Sequence, residues 1–112
     1  MNADKPYVYV LIRKDIAFEQ QLVQVGHAAW EAGLSFEQPG EVASLIVLEV
    51  PDQSALEAAS DRLERYGINH KMFFEPDFDM GHSAIATRPV HAKKERHLFR
   101  KYPLYTPGSH HA

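Results

Sequence analysis

The run from Tyr7 to Ile12 is an unbroken series of β-favouring apolar side chains. A strand that is apolar on both faces needs cover on both sides, which places it inside a sheet flanked by helices. The following segment supplies one. Its pattern predicts a helix from about Ala17 to Ala32, with Gly33 placed to act as its C-cap. Residues 35–41, with Pro39 and Gly40, read as a loop, and Leu45 to Val50 as a second buried strand. Pro51 and Asp52 then supply a turn and an N-cap. The second helix carries Leu56, Ala59, Leu63 and Tyr66 along one side and stops at Gly67. His70 to Phe74 and Ser83 to Arg88 read as the third and fourth strands. Two β-α-β crossings call for parallel neighbours, whereas the loop from Glu75 to His82 suits an antiparallel pair. The expected fold is α/β, a three-layer α/β/α arrangement around a four-stranded mixed sheet.

A chain of 112 residues has room for one domain, expected over residues 1–105, with a flexible C-terminal tail over 106–112. The whole run from Pro103 to Ala112 lacks periodicity and reads as loose. With no cysteine, disulfides, a thiol nucleophile and cysteine ligands for zinc are excluded, and a reducing compartment is the natural setting. The start of the chain lacks the apolar core of a signal peptide and no apolar run is long enough to cross a bilayer, so a cytoplasmic protein without membrane association is expected.

Charge is unevenly distributed. Residues 1–87 hold six Lys/Arg against fourteen Asp/Glu, a balance of −8, and residues 88–112 hold six against one, a balance of +5; together they give the net −3. The basic residues Arg88, Lys93, Lys94, Arg96, Arg100 and Lys101 alternate with His91, His97, Phe99 and Tyr102. Such a segment can meet phosphates and stack on unpaired bases, or it can be a solvated helix face.

Two stretches carry chemistry. On the first helix, Phe18, Leu22, Val25, Ala29 and Ala32 gather on a side expected to face the sheet, while Gln20, Gln24, His27 and Glu31 form a stripe left for function. In the second, Met72 to Pro89, an apolar strand runs into Glu75, Pro76 and Asp77 and returns through His82 and Ser83. Carboxylates at strand ends sit where sites are commonly built. Ester hydrolysis near neutral pH needs a base, donors for the oxyanion and a group that fixes the base. His27 and Glu75 are the natural pair, with partial desolvation expected to raise the Glu75 pKa toward a useful range. The plainer readings are a polar His on a wet helix face and carboxylates that cap a loop. Ser83 suits a hydroxyl donor better than a nucleophile, because no Gly-x-Ser-x-Gly elbow presents it. Thr87 reads as a β-favouring strand residue. Gln20 and Gln24 could offer amide N–H groups. The Glu75-x-Asp77-x-Asp79 spacing lacks the glycine and the closing glutamate of a calcium loop, and no His-Glu-x-x-His pattern occurs, so neither a metal nor another cofactor is expected. Trp30, on the flank of the first helix, suits packing against a loop or a second subunit.

The order of these motifs resembles the type 2 peptidyl-tRNA hydrolase family. The likeness runs over residues 7–90: the opening Tyr9-Val10-Leu11-Ile12-Arg13-Lys14-Asp15, the helix with Gln24, His27, Ala28 and Ala29, a β-α unit, and the closing Ser83-Ala84-Ile85-Ala86-Thr87 strand. The resemblance implies an α/β hydrolase that cuts the ester joining a peptide to the 3′ end of a transfer RNA, with peptidyl-tRNA as partner and a homodimer as assembly. In the family a Lys-Gly-Lys turn opens the first helix, a His follows, an Asp ends the third strand and a Thr starts the last. Here the His position is His27, the Asp position falls on Glu75 with Asp77 as rival, and the Thr position falls on Ser83. Gln20 stands nearest to the missing lysines, an amide where the family has an ammonium.

Three functions are compatible with these residues. The first is an esterase on peptidyl-tRNA, with Lys93, Lys94, Arg96 and Arg100 binding the substrate's acceptor stem. The second is a binding module on the same fold, weakened in catalysis, that grips RNA or protein. The third is hydrolysis of another acyl substrate, since a fold does not fix its function.

Overall fold

The computed structural model describes residues 5–107. The chain forms β1 (Tyr7–Arg13), α1 (Phe18–Ser35), β2 (Ser44–Val50), α2 (Gln53–Arg65), β3 (His70–Glu75), β4 (Gly81–Thr87) and the single turn α3 (Lys93–Arg96), which continues into a 3-10 turn, His97–Phe99. The sheet is four-stranded and mixed, in the order β2-β1-β4-β3. β1 lies inside it, parallel to β2 and antiparallel to β4.

Side-chain alternation along β1 sends Tyr9 and Leu11 to one face and Val10 and Ile12 to the other. On the first face they join Leu48, Val50, Ile85 and the α2 residues Leu56, Ala59 and Leu63. On the second they meet Ala28 and Ala32 of α1 and Ala84 and Ala86 of β4. α1 therefore covers one face and α2, with the short C-terminal segment around Phe99, the other, which gives three layers. Small side chains dominate the α1 face, so α1 can lie close to the sheet.

Local signals in the sequence are reproduced at α2. Asp52 accepts a hydrogen bond from the Ala55 N–H at 2.9 Å, as an N-cap should. At the other end Gly67 takes φ 75°, the Ile68 N–H reaches the Leu63 carbonyl at 2.9 Å and the Gly67 N–H reaches Glu64 at 3.1 Å. This pair of bonds is a Schellman ending, which needs a residue at ease in the left-handed region.

Several expectations are corrected. Gly33 lies inside α1, which runs on to Ser35 and is capped at Phe36. Of the side of α1 expected to face the sheet, Ala32 is buried and Val25 and Ala29 are partly buried against it, but Phe18 and Leu22 are 41% and 57% exposed, and Gln21, Gln24 and Ala28 are buried in their stead. Burying the glutamines is tolerable because their amides are bonded, Gln21 to the Ile16 carbonyl and the Tyr105 hydroxyl and Gln24 as described below. The second crossing does not make parallel neighbours either. β3 enters as a hairpin with β4, and β4 takes the free edge of β1, so α2 carries the chain across two strands.

The segment expected to be loose from Pro103 onward is partly ordered. The Glu49 N–H donates to the Pro103 carbonyl at 3.0 Å and the Tyr105 N–H to Val47 at 2.9 Å, extending the outer edge of β2. Lys14, ion-paired with Glu49 at 3.2 Å, also donates to the Thr106 carbonyl and lies over the Tyr105 ring. Of the tail expected over 106–112, the part from residue 108 on lies outside the described residues. No helix among the described residues is long and apolar enough to cross a membrane.

Thr87 does more than favour a strand. Its buried hydroxyl accepts the Tyr9 N–H at 3.1 Å and donates to the Arg88 carbonyl at 2.8 Å, just past the last β1–β4 residue pair, Val10 with Ala86. Thr87→Val keeps the shape but orphans a buried N–H, at an expected cost of about 1–3 kcal/mol. A denaturant titration that finds the variant as stable as the parent would show the bond to be dispensable.

Candidate functional site

Glu75, the last residue of β3, and Ser83, in β4, lie beside the register shift between Phe73 and Phe74. Ser83 is the residue this bulge leaves without a cross-strand partner. Gln24, fully buried on α1, bridges the two: its Nε2 donates to Glu75 Oε1 at 2.8 Å, and its Oε1 accepts the Ser83 hydroxyl at 2.6 Å. The second carboxylate oxygen of Glu75 accepts the Asp77 N–H at 3.1 Å. Gln24 Nε2 also donates to Gln20 Oε1 at 3.2 Å. His27, one turn along α1, is exposed. Its ring stacks on Phe73 with centroids 4.6 Å apart and planes 5° from parallel.

The Glu75 carboxyl is held below the usual carboxylate range. The Gln24 hydrogen bond is the main cause, helped by the Asp77 N–H and the charge of His27, and opposed by burial. Desolvation was expected to win and raise it; donors placed on both oxygens outweigh it. Glu75 is thus an ionised carboxylate beside His27, suited to stabilising an imidazolium rather than to taking a proton itself.

Other expectations change with the geometry. The Ser83 hydroxyl is fully buried and already donates to Gln24, so it holds the network instead of facing a substrate carbonyl. Asp77 is exposed and contributes its backbone N–H. Gln20 stands at the partly exposed rim. Lys93, Lys94, Arg96 and Arg100 are not brought to this site: α3 belongs to the Tyr9, Leu48 and Phe99 side of the sheet, opposite α1. Lys14 is turned toward the β2 edge and does not replace the lysines missing from the helix opening. No group of three His, Cys, Asp or Glu among the described residues could hold a metal ion.

Sequence reasoning missed Arg13. Its guanidinium pairs with Asp15 at 2.7 Å and donates to the carbonyls of Met80 and His82 at 2.7 and 3.1 Å, pinning the loop after Glu75. In that loop Phe78 and Asp79 take φ 62° and 52°, both in the left-handed region, a strain that persists only where the surroundings impose it. His82 is tied to Glu57 at 2.9 Å on the α2 side. The only available sign of Arg13's role was a charged residue ending an otherwise apolar strand.

No protein-family model matches this chain, and no curated protein does. A solved structure is similar in shape: Atu0240, a protein of unknown function from Agrobacterium tumefaciens strain C58, with a TM-score of 0.70 at 13% identity over 91% of this chain and 98% of that one. The two share a fold. At such low identity the likeness speaks to architecture alone.

Acid should expose the hydrogen bonds to Glu75. A carboxyl whose folded pKa is depressed adds stability above its unfolded value, about 4.3 for Glu, and that stability is lost as pH falls through the lower folded value. Glu57 is depressed too, chiefly by Gln53 and then by His82. Melting temperature should therefore decline as pH drops below about 4.3, and Glu75→Gln should flatten part of that decline. An identical acid profile in the variant would remove Glu75 from the account.

Proposed function

We propose that this chain is an ester hydrolase acting on peptidyl-tRNA, with His27 as the base that deprotonates water. The supporting observation is the hydrogen-bonded chain from Ser83 through Gln24 to Glu75, with His27 one turn away: residues singled out by the resemblance, far apart in sequence, meet in one place. Water attacks the ester carbonyl and gives a proton to His27. The bond to the ribose oxygen then breaks, and the imidazolium returns the proton to that oxygen, leaving transfer RNA and a peptide carboxylic acid that loses its own proton to water. Glu75 stabilises the imidazolium, Gln24 fixes Glu75, Ser83 fixes Gln24, and Gln20 offers an amide N–H to the oxyanion.

One observation favours the second reading, a binding module without turnover. Gln24 and Ser83 are sealed from solvent and satisfy each other, leaving the site with no ammonium and few polar groups facing outward. Release of labelled peptide from purified peptidyl-tRNA separates the two. Turnover that disappears in His27→Ala supports the hydrolase. Absence of turnover in the parent protein, with RNA still bound, supports the module.

A further inference from the structure

We infer that a cleft on the opposite face of the sheet binds a nucleotide in an unpaired strand, its base against tyrosine and its phosphate on the cations of the C-terminal segment. The inference rests on this cleft alone and not on hydrolysis at Glu75. α3 and the 3-10 turn after it lay Lys93, Arg96, His97 and Arg100 at helical spacing along one side of an open cleft of about 530 Å³, within the range of roughly 300–1,000 Å³ usual for small-ligand sites. The floor is Tyr9, stacked on Phe99 at 3.8 Å, and the walls include the half-buried rings of Tyr7 and Tyr102.

Charge favours an anion. No Asp or Glu lines the cleft. Glu95, the sole acid of residues 88–112, is engaged with Arg88 at 3.2 Å. Lys93 and Arg100 are exposed and make no ion pair among the described residues. Arg96 sits over the Tyr7 ring at 4.9 Å, leaving guanidinium edges for a phosphate while keeping the ring oriented. Residues 1–87 carry a balance of −8 and repel phosphate elsewhere, so the cleft is where a polyanion can approach. The aromatic walls add what a bare basic patch lacks, a face for a base. A duplex hides its bases in the stack and cannot use that face.

The test is fluorescence anisotropy with a labelled eight-nucleotide single-stranded RNA, set beside the same sequence as duplex, heparin, and a mononucleotide competitor. The single strand should bind more tightly than the duplex. Lys93→Gln and Arg100→Gln should each weaken binding and reduce the salt slope by about 0.7. Tyr102→Leu should weaken binding roughly five-fold or more with the slope unchanged. Arg96→Gln, which leaves the tyrosines intact, guards against a fold defect in Tyr102→Leu and should also weaken binding. Competition only by strands supports the inference; competition by mononucleotide at comparable concentration would overturn it in favour of a free nucleotide. Equal binding of strand, duplex and heparin, indifference to the four substitutions, or no binding of the single strand would also overturn the inference.

Discussion

Leu63→Ala is expected to destabilise the fold by about 3 kcal/mol, within the range of roughly 2–5 observed for truncating a buried leucine. Leu63 has no exposed surface and packs in the cluster with Leu11, Leu48, Leu56 and Ile85, and its carbonyl receives the N–H that ends α2. Truncation removes apolar contacts and leaves a cavity between α2 and the sheet that a continuous element cannot fill. Leu22→Ala is the informative companion. Helical periodicity assigned Leu22 to the core, yet it is 57% exposed, so its truncation should cost less than about 0.5 kcal/mol. Urea unfolding of both variants, with m-values compared to the parent, measures the contrast. Equal losses would mean that α1 is rotated to bury the other face.

The second large effect concerns activity. If His27 removes the proton from water, His27→Ala should lower peptide release by about 10²–10⁴-fold, the usual contribution of a positioned general base. Because His27 is exposed and only stacks on Phe73, the same change should leave melting temperature close to the parent value. Glu75→Gln should also slow release, through loss of the charge beside the imidazole. Gln20→Ala should have the smaller effect of a rim donor. A His27→Ala enzyme of full activity would end the assignment of the base, and a chain inactive before any substitution would leave the binding module as the reading.

Much of the fold was legible because its signals are local. The Tyr7 to Ile12 run required cover on both sides, Asp52 and Gly67 marked the ends of α2, and the strand at Leu45 to Val50 was visible as an apolar run. Each depends on a side chain and its immediate backbone. The facing of α1 was legible only in part: Val25, Ala29 and Ala32 pack as expected, but Phe18 and Leu22 do not. A pattern weighted by hydrophobicity favours Phe18 and Leu22, whereas packing selected Ala28, which allows close approach, together with two glutamines whose amides find partners elsewhere in the chain.

The candidate site divides in the same way. The sequence by itself determined which residues could carry chemistry, because His27, Glu75, Gln24 and Ser83 stand in an order that resembles a hydrolase family. Only the tertiary structure decided how these side chains are bonded and how far they are buried. Hydrogen bonds between α1 and the β3–β4 hairpin lowered the pKa of Glu75 and sealed Ser83 against Gln24. Side-chain alternation along the strands, with α1 and α2 on opposite faces, set the basic C-terminal segment on the far side of the sheet from His27. Which residues are present is a property of the chain, but which of them share a surface depends on strand order and facing, and those are fixed by contacts distant in sequence.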